Sequence, residues 1–80
     1  MTRPDALQLL EETLDLRPHT LTGAERLAGL EAWDSLSALT VIAAADKKFG
    51  LPLPGALVGR CRTVAELCDL LVEAAARRAA

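Results

Sequence analysis

Eighty residues allow one domain with a modest core, because at this size roughly 60% of the unfolded chain's surface is buried on folding. Apolar residues make up 51% and charged residues 25%, a globular composition that excludes intrinsic disorder. The net charge of −2 is too close to balance to imply nucleic-acid binding, which calls for a basic patch. The apolar content is mostly Ala, Leu and Val, and Trp33 and Phe49 are the only aromatics, so helices are favoured over strands. The first forty residues hold three Arg against seven acids, and the last forty hold six Lys and Arg against four. No basic-then-apolar leader opens the chain, and no apolar run approaches the ~20 residues that span a bilayer. A cytosolic chain without a membrane span is expected. Cys61, Cys68 and His19 are too few ligands for zinc, so no metal site is expected. The two cysteines read as small buried hydrophobes, with a disulfide left open.

The first helix is expected over about 5–16. Thr2 can cap it, Pro4 suits its first turn, and Asp5 meets its positive end. Leu7, Leu10 and Leu14 form its apolar stripe, with Glu11, Glu12 and Asp15 turned toward water. Pro18 stops it near Leu16. Residues 17–33 then form a long loop, pinned by Leu21, Leu27 and Leu30, with room for a short turn around Thr22–Leu27. His19 reads as an ordinary loop histidine.

The second helix is expected over 35–49, with Asp34 as its N-cap and Gly50 as its stop. Lys47 and Lys48 favour its negative end. Leu36, Leu39, Ile42 and Ala43 read as its buried stripe, with Leu36 inward and Ser35 outward. A proline-rich link, 51–55, leads to a short helix near 56–59. Thr63 and Glu66 form a capping box for a last helix over 63–76, with Val64, Leu67, Leu71 and Ala74 on one face. Ala79 and Ala80 are expected to fray. An all-α four-helix bundle in a single domain, 1–80, follows from burying these stripes together.

Three segments are informative at their mutual distances: Asp34-Ser35-Leu36 at a helix start, Phe49-Gly50-Leu51-Pro52-Leu53-Pro54 after that helix, and Thr63-Val64-Ala65-Glu66-Leu67 at the last helix. In these the sequence resembles the acyl carrier family over about Leu7 to Val72. The resemblance implies that Ser35 carries 4′-phosphopantetheine from coenzyme A and that Asp34 helps a phosphopantetheinyl transferase orient its substrate. It implies a carrier that is not an enzyme and whose arm bears acyl groups as thioesters. The chain's lack of paired acid–base groups agrees, since the cofactor carries the chemistry. A phosphodiester on the first residue of a helix is also electrostatically favoured.

Partner enzymes implied by the resemblance are a ketosynthase, an acyltransferase or an acyl-activating ligase, served by a monomeric carrier. Docking is expected at Ser37, Thr40, Asp46, Lys47 and Lys48. Trp33 reads first as packing against the helix start and second as a contact. Glu25 and Glu31 are possible sources of docking charge. Lys47 and Lys48 stand where fatty-acid carriers have acids, which points to a specialised fatty-acid- or polyketide-type pathway. Two alternatives remain. An aminoacyl or peptidyl carrier would more often show Gly-Gly-x-Ser, where this chain has Glu31-Ala32-Trp33-Asp34-Ser35. A cofactor-free helical adaptor would bind a peptide in an apolar groove.

Overall fold

The computed structural model describes residues 1–79. Four helices follow one another: α1 (Arg3–Thr13), α2 (Ser35–Phe49), α3 (Gly55–Arg60) and α4 (Val64–Ala79), with a 3₁₀ turn at Leu27–Gly29 in the first loop. Helix α1 packs on both α2 and α4, and the short α3 bridges α2 and α4. This is the expected all-helical bundle.

Each helix begins where local hydrogen bonding dictates. At α1 the Thr2 hydroxyl accepts the Asp5 N–H at 3.3 Å, and the Asp5 carboxylate accepts the Thr2 N–H at 3.0 Å. This reciprocal cap starts the helix at Arg3, two residues before the expected start. The helix also ends early, at Thr13 rather than near Leu16, because Asp15 takes a left-handed conformation with φ 58°. Pro18 only confirms a stop already made. At the far end of α2, Gly50 is left-handed with φ 64°, and the Leu51 N–H reaches back to the Ala45 carbonyl at 3.1 Å. The positive φ is what favours glycine there; a Cβ would also meet the Arg78 guanidinium at 3.2 Å, a contact that flexible side chain can relieve.

The long first loop is stitched to the head of α4. The Gly23 and Glu25 carbonyls accept the Ala65 and Val64 N–H groups, both at 2.9 Å, and the Leu27 N–H donates to the Arg62 carbonyl at 2.9 Å. Thr63 Oγ1 accepts the next free donor, Glu66 N–H, at 3.1 Å. The loop therefore supplies carbonyls that a helix start otherwise takes from water. The 3₁₀ turn of this loop lies at Leu27–Gly29, at the far end of the expected Thr22–Leu27 span, and Leu21 and Leu27 are buried while Leu30 is half-buried.

The core joins Leu9 and Leu10 of α1, Leu21 and Leu27 of the loop, Val41 and Ala45 of α2, Leu51 and Leu53 of the link, Val58 of α3, and Val64, Leu67, Cys68 and Leu71 of α4. Cys61 and Cys68 are free thiols, with Cys68 buried and Cys61 half-buried. Burial pushes the Cys68 thiol up to about 11. No helix among the described residues is long and apolar enough to cross a membrane.

Four expectations are corrected. Leu36 and Leu39 are 72% and 63% exposed, so Leu36 does not point into the bundle. Ala43 is exposed as well, and the buried side of α2 is Val41 and Ala45, with Ala38 and Ile42 half-buried. Helical geometry puts Leu36 about 140° from Val41 and about 180° from Ala45, so the two sets cannot face one way. Glu11, expected in water, is 5% exposed, and its Oε2 accepts the Leu21 N–H at 2.9 Å. A loop donor drawn into the core needs an acceptor, and Glu11 supplies it. Finally, α4 runs on through Arg77 and Arg78 to Ala79 where fraying was expected; Ala80 lies outside the described residues.

The caps make stability acid-sensitive. The Arg62 and Thr63 N–H groups hold the Glu66 carboxyl below its ordinary 4.5. The unfolded chain, with the higher pKa, takes up the proton first as pH falls. This contribution is therefore whole above the ordinary value and lost as pH drops through the folded one. Glu66→Gln is expected to lower thermal stability at neutral pH and to flatten the decline below about pH 4.5, read by circular dichroism melts across pH.

Candidate functional site

The head of α2 is held by a cap that leaves its first residue free. Asp34 is extended, at φ −152° and ψ −173°, and its Oδ1 accepts the Ser37 N–H at 2.8 Å. Oδ1 also lies 2.9 Å from the Ser37 hydroxyl, which in addition donates to the Ala32 carbonyl. The Ser37 N–H, then its hydroxyl, hold the Asp34 carboxyl below its ordinary 3.8. Ser35 is the first residue of α2, is exposed, and has no hydrogen-bond partner for its hydroxyl among the described residues. Esterifying Ser35 therefore breaks nothing. It also puts negative charge at the positive end of a fifteen-residue helix.

Below Ser35, the outward side of α2 is an apolar stripe. Leu36, Leu39 and Ala43 are exposed at i, i+3 and i+7 spacing, within about 60° of one another around the axis. Thr40, Asp46 and Lys47 are exposed on the same side. The Thr40 hydroxyl donates to the Leu36 carbonyl at 2.8 Å, so it is occupied by its own helix.

Other residues expected at a docking face lie elsewhere or are engaged. Lys48 turns to α1, its Nζ 2.9 Å from Glu12 Oε2. Ser37 is half-buried and committed to the cap, and Trp33 is half-buried against the core. Glu25 is no free docking charge. Its carboxylate accepts the Thr22 and Gly23 N–H groups, each at 2.8 Å, and closes the turn. Glu31 is exposed. Of the residues expected at a docking face, Thr40, Asp46 and Lys47 stand on the outward side of α2 with Ser35, Leu36, Leu39 and Ala43, and Ser37 and Lys48 lie off it.

A cleft lined by Ile42, Ala43, Asp46, Pro52, Leu53 and Pro54 lies between α2 and the link. A second, lined by Pro4, Leu7, Glu11, Leu16, Pro18 and Leu21 among others, lies between α1 and the first loop. Neither is lined by Ser35. Among the described residues no cluster of His, Cys, Asp and Glu could hold a metal ion.

A family model described as a phosphopantetheine attachment site matches residues 5–71. No curated protein sequence matches the chain. Among solved structures, the holo acyl carrier protein of Geobacter metallireducens is 25% identical, with a TM-score of 0.80 over 99% of this chain and 92% of that one. The acetyl actinorhodin acyl carrier protein of Streptomyces coelicolor is 26% identical, with a TM-score of 0.68 over 98% and 94%. Matched along most of its sequence and nearly all of its backbone, the chain belongs to the acyl carrier family: it is a carrier with a 4′-phosphopantetheine prosthetic group, not an enzyme.

Proposed function

We propose that Ser35 is the attachment residue, and that residues 1–80 act as one carrier domain delivering acyl thioesters to enzymes of a specialised fatty-acid- or polyketide-type pathway. The observation that carries this reading is the unencumbered Ser35 hydroxyl at the head of α2, while the neighbouring Ser37 and Thr40 hydroxyls are both hydrogen-bonded. Loading forms one phosphoester bond at Ser35 Oγ and breaks the diphosphate of coenzyme A, releasing adenosine 3′,5′-bisphosphate; the hydroxyl proton passes to the transferase. When bound, the arm supplies a terminal thiol that holds cargo as a thioester. A cofactor-free adaptor has no support once the family brings the prosthetic group with it.

Partner choice follows from the outward side of α2. Its contact area is apolar, from Leu36 and Leu39, and its charges are one acid, Asp46, and one base, Lys47. A strongly basic partner finds little to attract it there. A neutral or acidic docking face fits better, and such charge matching acts mainly on association rate.

The test uses loaded carrier and a cognate ketosynthase. Leu36→Ala and Leu39→Ala are expected to leave stability within about 0.5 kcal/mol, because both side chains are exposed. Each is expected to lower kcat/KM for the partner reaction by about tenfold. Lys47→Glu is expected to slow the same reaction most at low ionic strength, while Lys48→Glu chiefly loses its exposed surface pair with Glu12. Unchanged partner kinetics in the leucine variants and in Lys47→Glu would overturn this docking assignment.

A further inference from the structure

Ser37 differs from Thr40, the other hydrogen-bonded hydroxyl of α2, in what it holds. Thr40 donates to the carbonyl four residues back, within its own helix. Ser37 instead reaches five residues back, to the Ala32 carbonyl, outside the helix. Its single hydroxyl proton faces two acceptors, the Ala32 carbonyl and Asp34 Oδ1, while its N–H donates to the same Oδ1 at 2.8 Å. The segment from Ala32 to Ser37 is thereby closed into a ring, fastened at its two ends and at Asp34. Ser35 lies inside that ring and takes no part in fastening it.

We propose that Ser37 is a positioning residue of the attachment site, fixing the Ala32–Ser35 backbone so that the Ser35 hydroxyl meets the transferase in one orientation. The inference rests on Ser35 being the attachment residue. Removing the hydroxyl keeps the Ser37 N–H bond, and with it the start of α2, but releases the Ala32 carbonyl. Leu36 and Leu39 stay where they are, so carrier and transferase still associate. What suffers is alignment of the attacking oxygen, and alignment enters the chemical step rather than binding.

The experiment measures transfer of phosphopantetheine from coenzyme A by a broad-specificity transferase to four proteins: native, Ser37→Ala, Ser37→Thr and Thr63→Ala. Ser37→Ala is expected to lower kcat about tenfold, the effect of one hydrogen bond made with a charged network, with KM within about twofold of native. Ser37→Thr, which keeps the hydroxyl, is expected to restore kcat to within about twofold. Thr63→Ala, which weakens the cap of α4 instead, controls for lost stability and is expected to keep the native kcat. Native kcat in Ser37→Ala, or an equal fall in Thr63→Ala at equal loss of Tm, would overturn the positioning role. A native protein that takes no arm, or a Ser35→Ala variant that takes one, would instead overturn the Ser35 assignment and this inference with it.

Discussion

Ser35→Ala is expected to abolish uptake of the phosphopantetheine arm and to leave the bundle folded. Both halves of that result follow from the geometry. The Ser35 side chain is exposed and outside the cap, so its loss should move stability by no more than about 0.5 kcal/mol. The cap itself is made by Asp34 and Ser37, which the substitution does not touch. Loss of uptake should be complete rather than partial, because no nearby hydroxyl can stand in. Ser37 is half-buried and bonded to Ala32 and Asp34, and Thr40 is bonded to Leu36 one turn further along. Intact mass after incubation with coenzyme A and a transferase reads the first half, and a melting curve the second. A variant that takes up the arm, or that fails to fold, would contradict the account.

The largest effect on stability is expected at Leu71. It is fully buried on the face of α4 that meets the core shared with α1. Leu71→Ala removes that contact and leaves a cavity, at a cost of about 2–5 kcal/mol. A domain of this size has roughly 4–12 kcal/mol of stability in all. The melting temperature should therefore fall by roughly 12–30 °C. Leu36→Ala deletes the same atoms from a side chain that is 72% exposed and should barely move it. Near-equal shifts for the two variants would mean that the inward and outward faces have been confused.

That confusion is what the sequence invites. Helix α2 carries two apolar stripes, Leu36–Leu39–Ala43 and Ala38–Val41–Ile42–Ala45, and periodicity alone does not say which is buried. The larger leucines suggest the first. The structure buries the second, with Val41 and Ala45 fully inside. Features closed by neighbours in sequence were legible: the reciprocal cap of Thr2 and Asp5, the Asp34 cap, the Thr63–Glu66 cap, and Gly50 at the end of α2. Features that need a distant partner were not. Glu11 is buried because the Leu21 N–H, ten residues away, is brought to it. Lys48 pairs with Glu12, thirty-six residues away, a contact that no spacing in the sequence shows. Ser37 looked like a surface hydroxyl because its second acceptor is a loop carbonyl whose position only the fold determines.

The central claim is that Ser35 bears the arm. Peptide mapping by mass spectrometry of the native protein, after incubation with coenzyme A and its cognate transferase, tests it most directly. The account predicts one phosphopantetheine per chain, located on Ser35 and absent from Ser37 and Thr40. A folded protein that gains no mass, or an arm located on another hydroxyl, would contradict it.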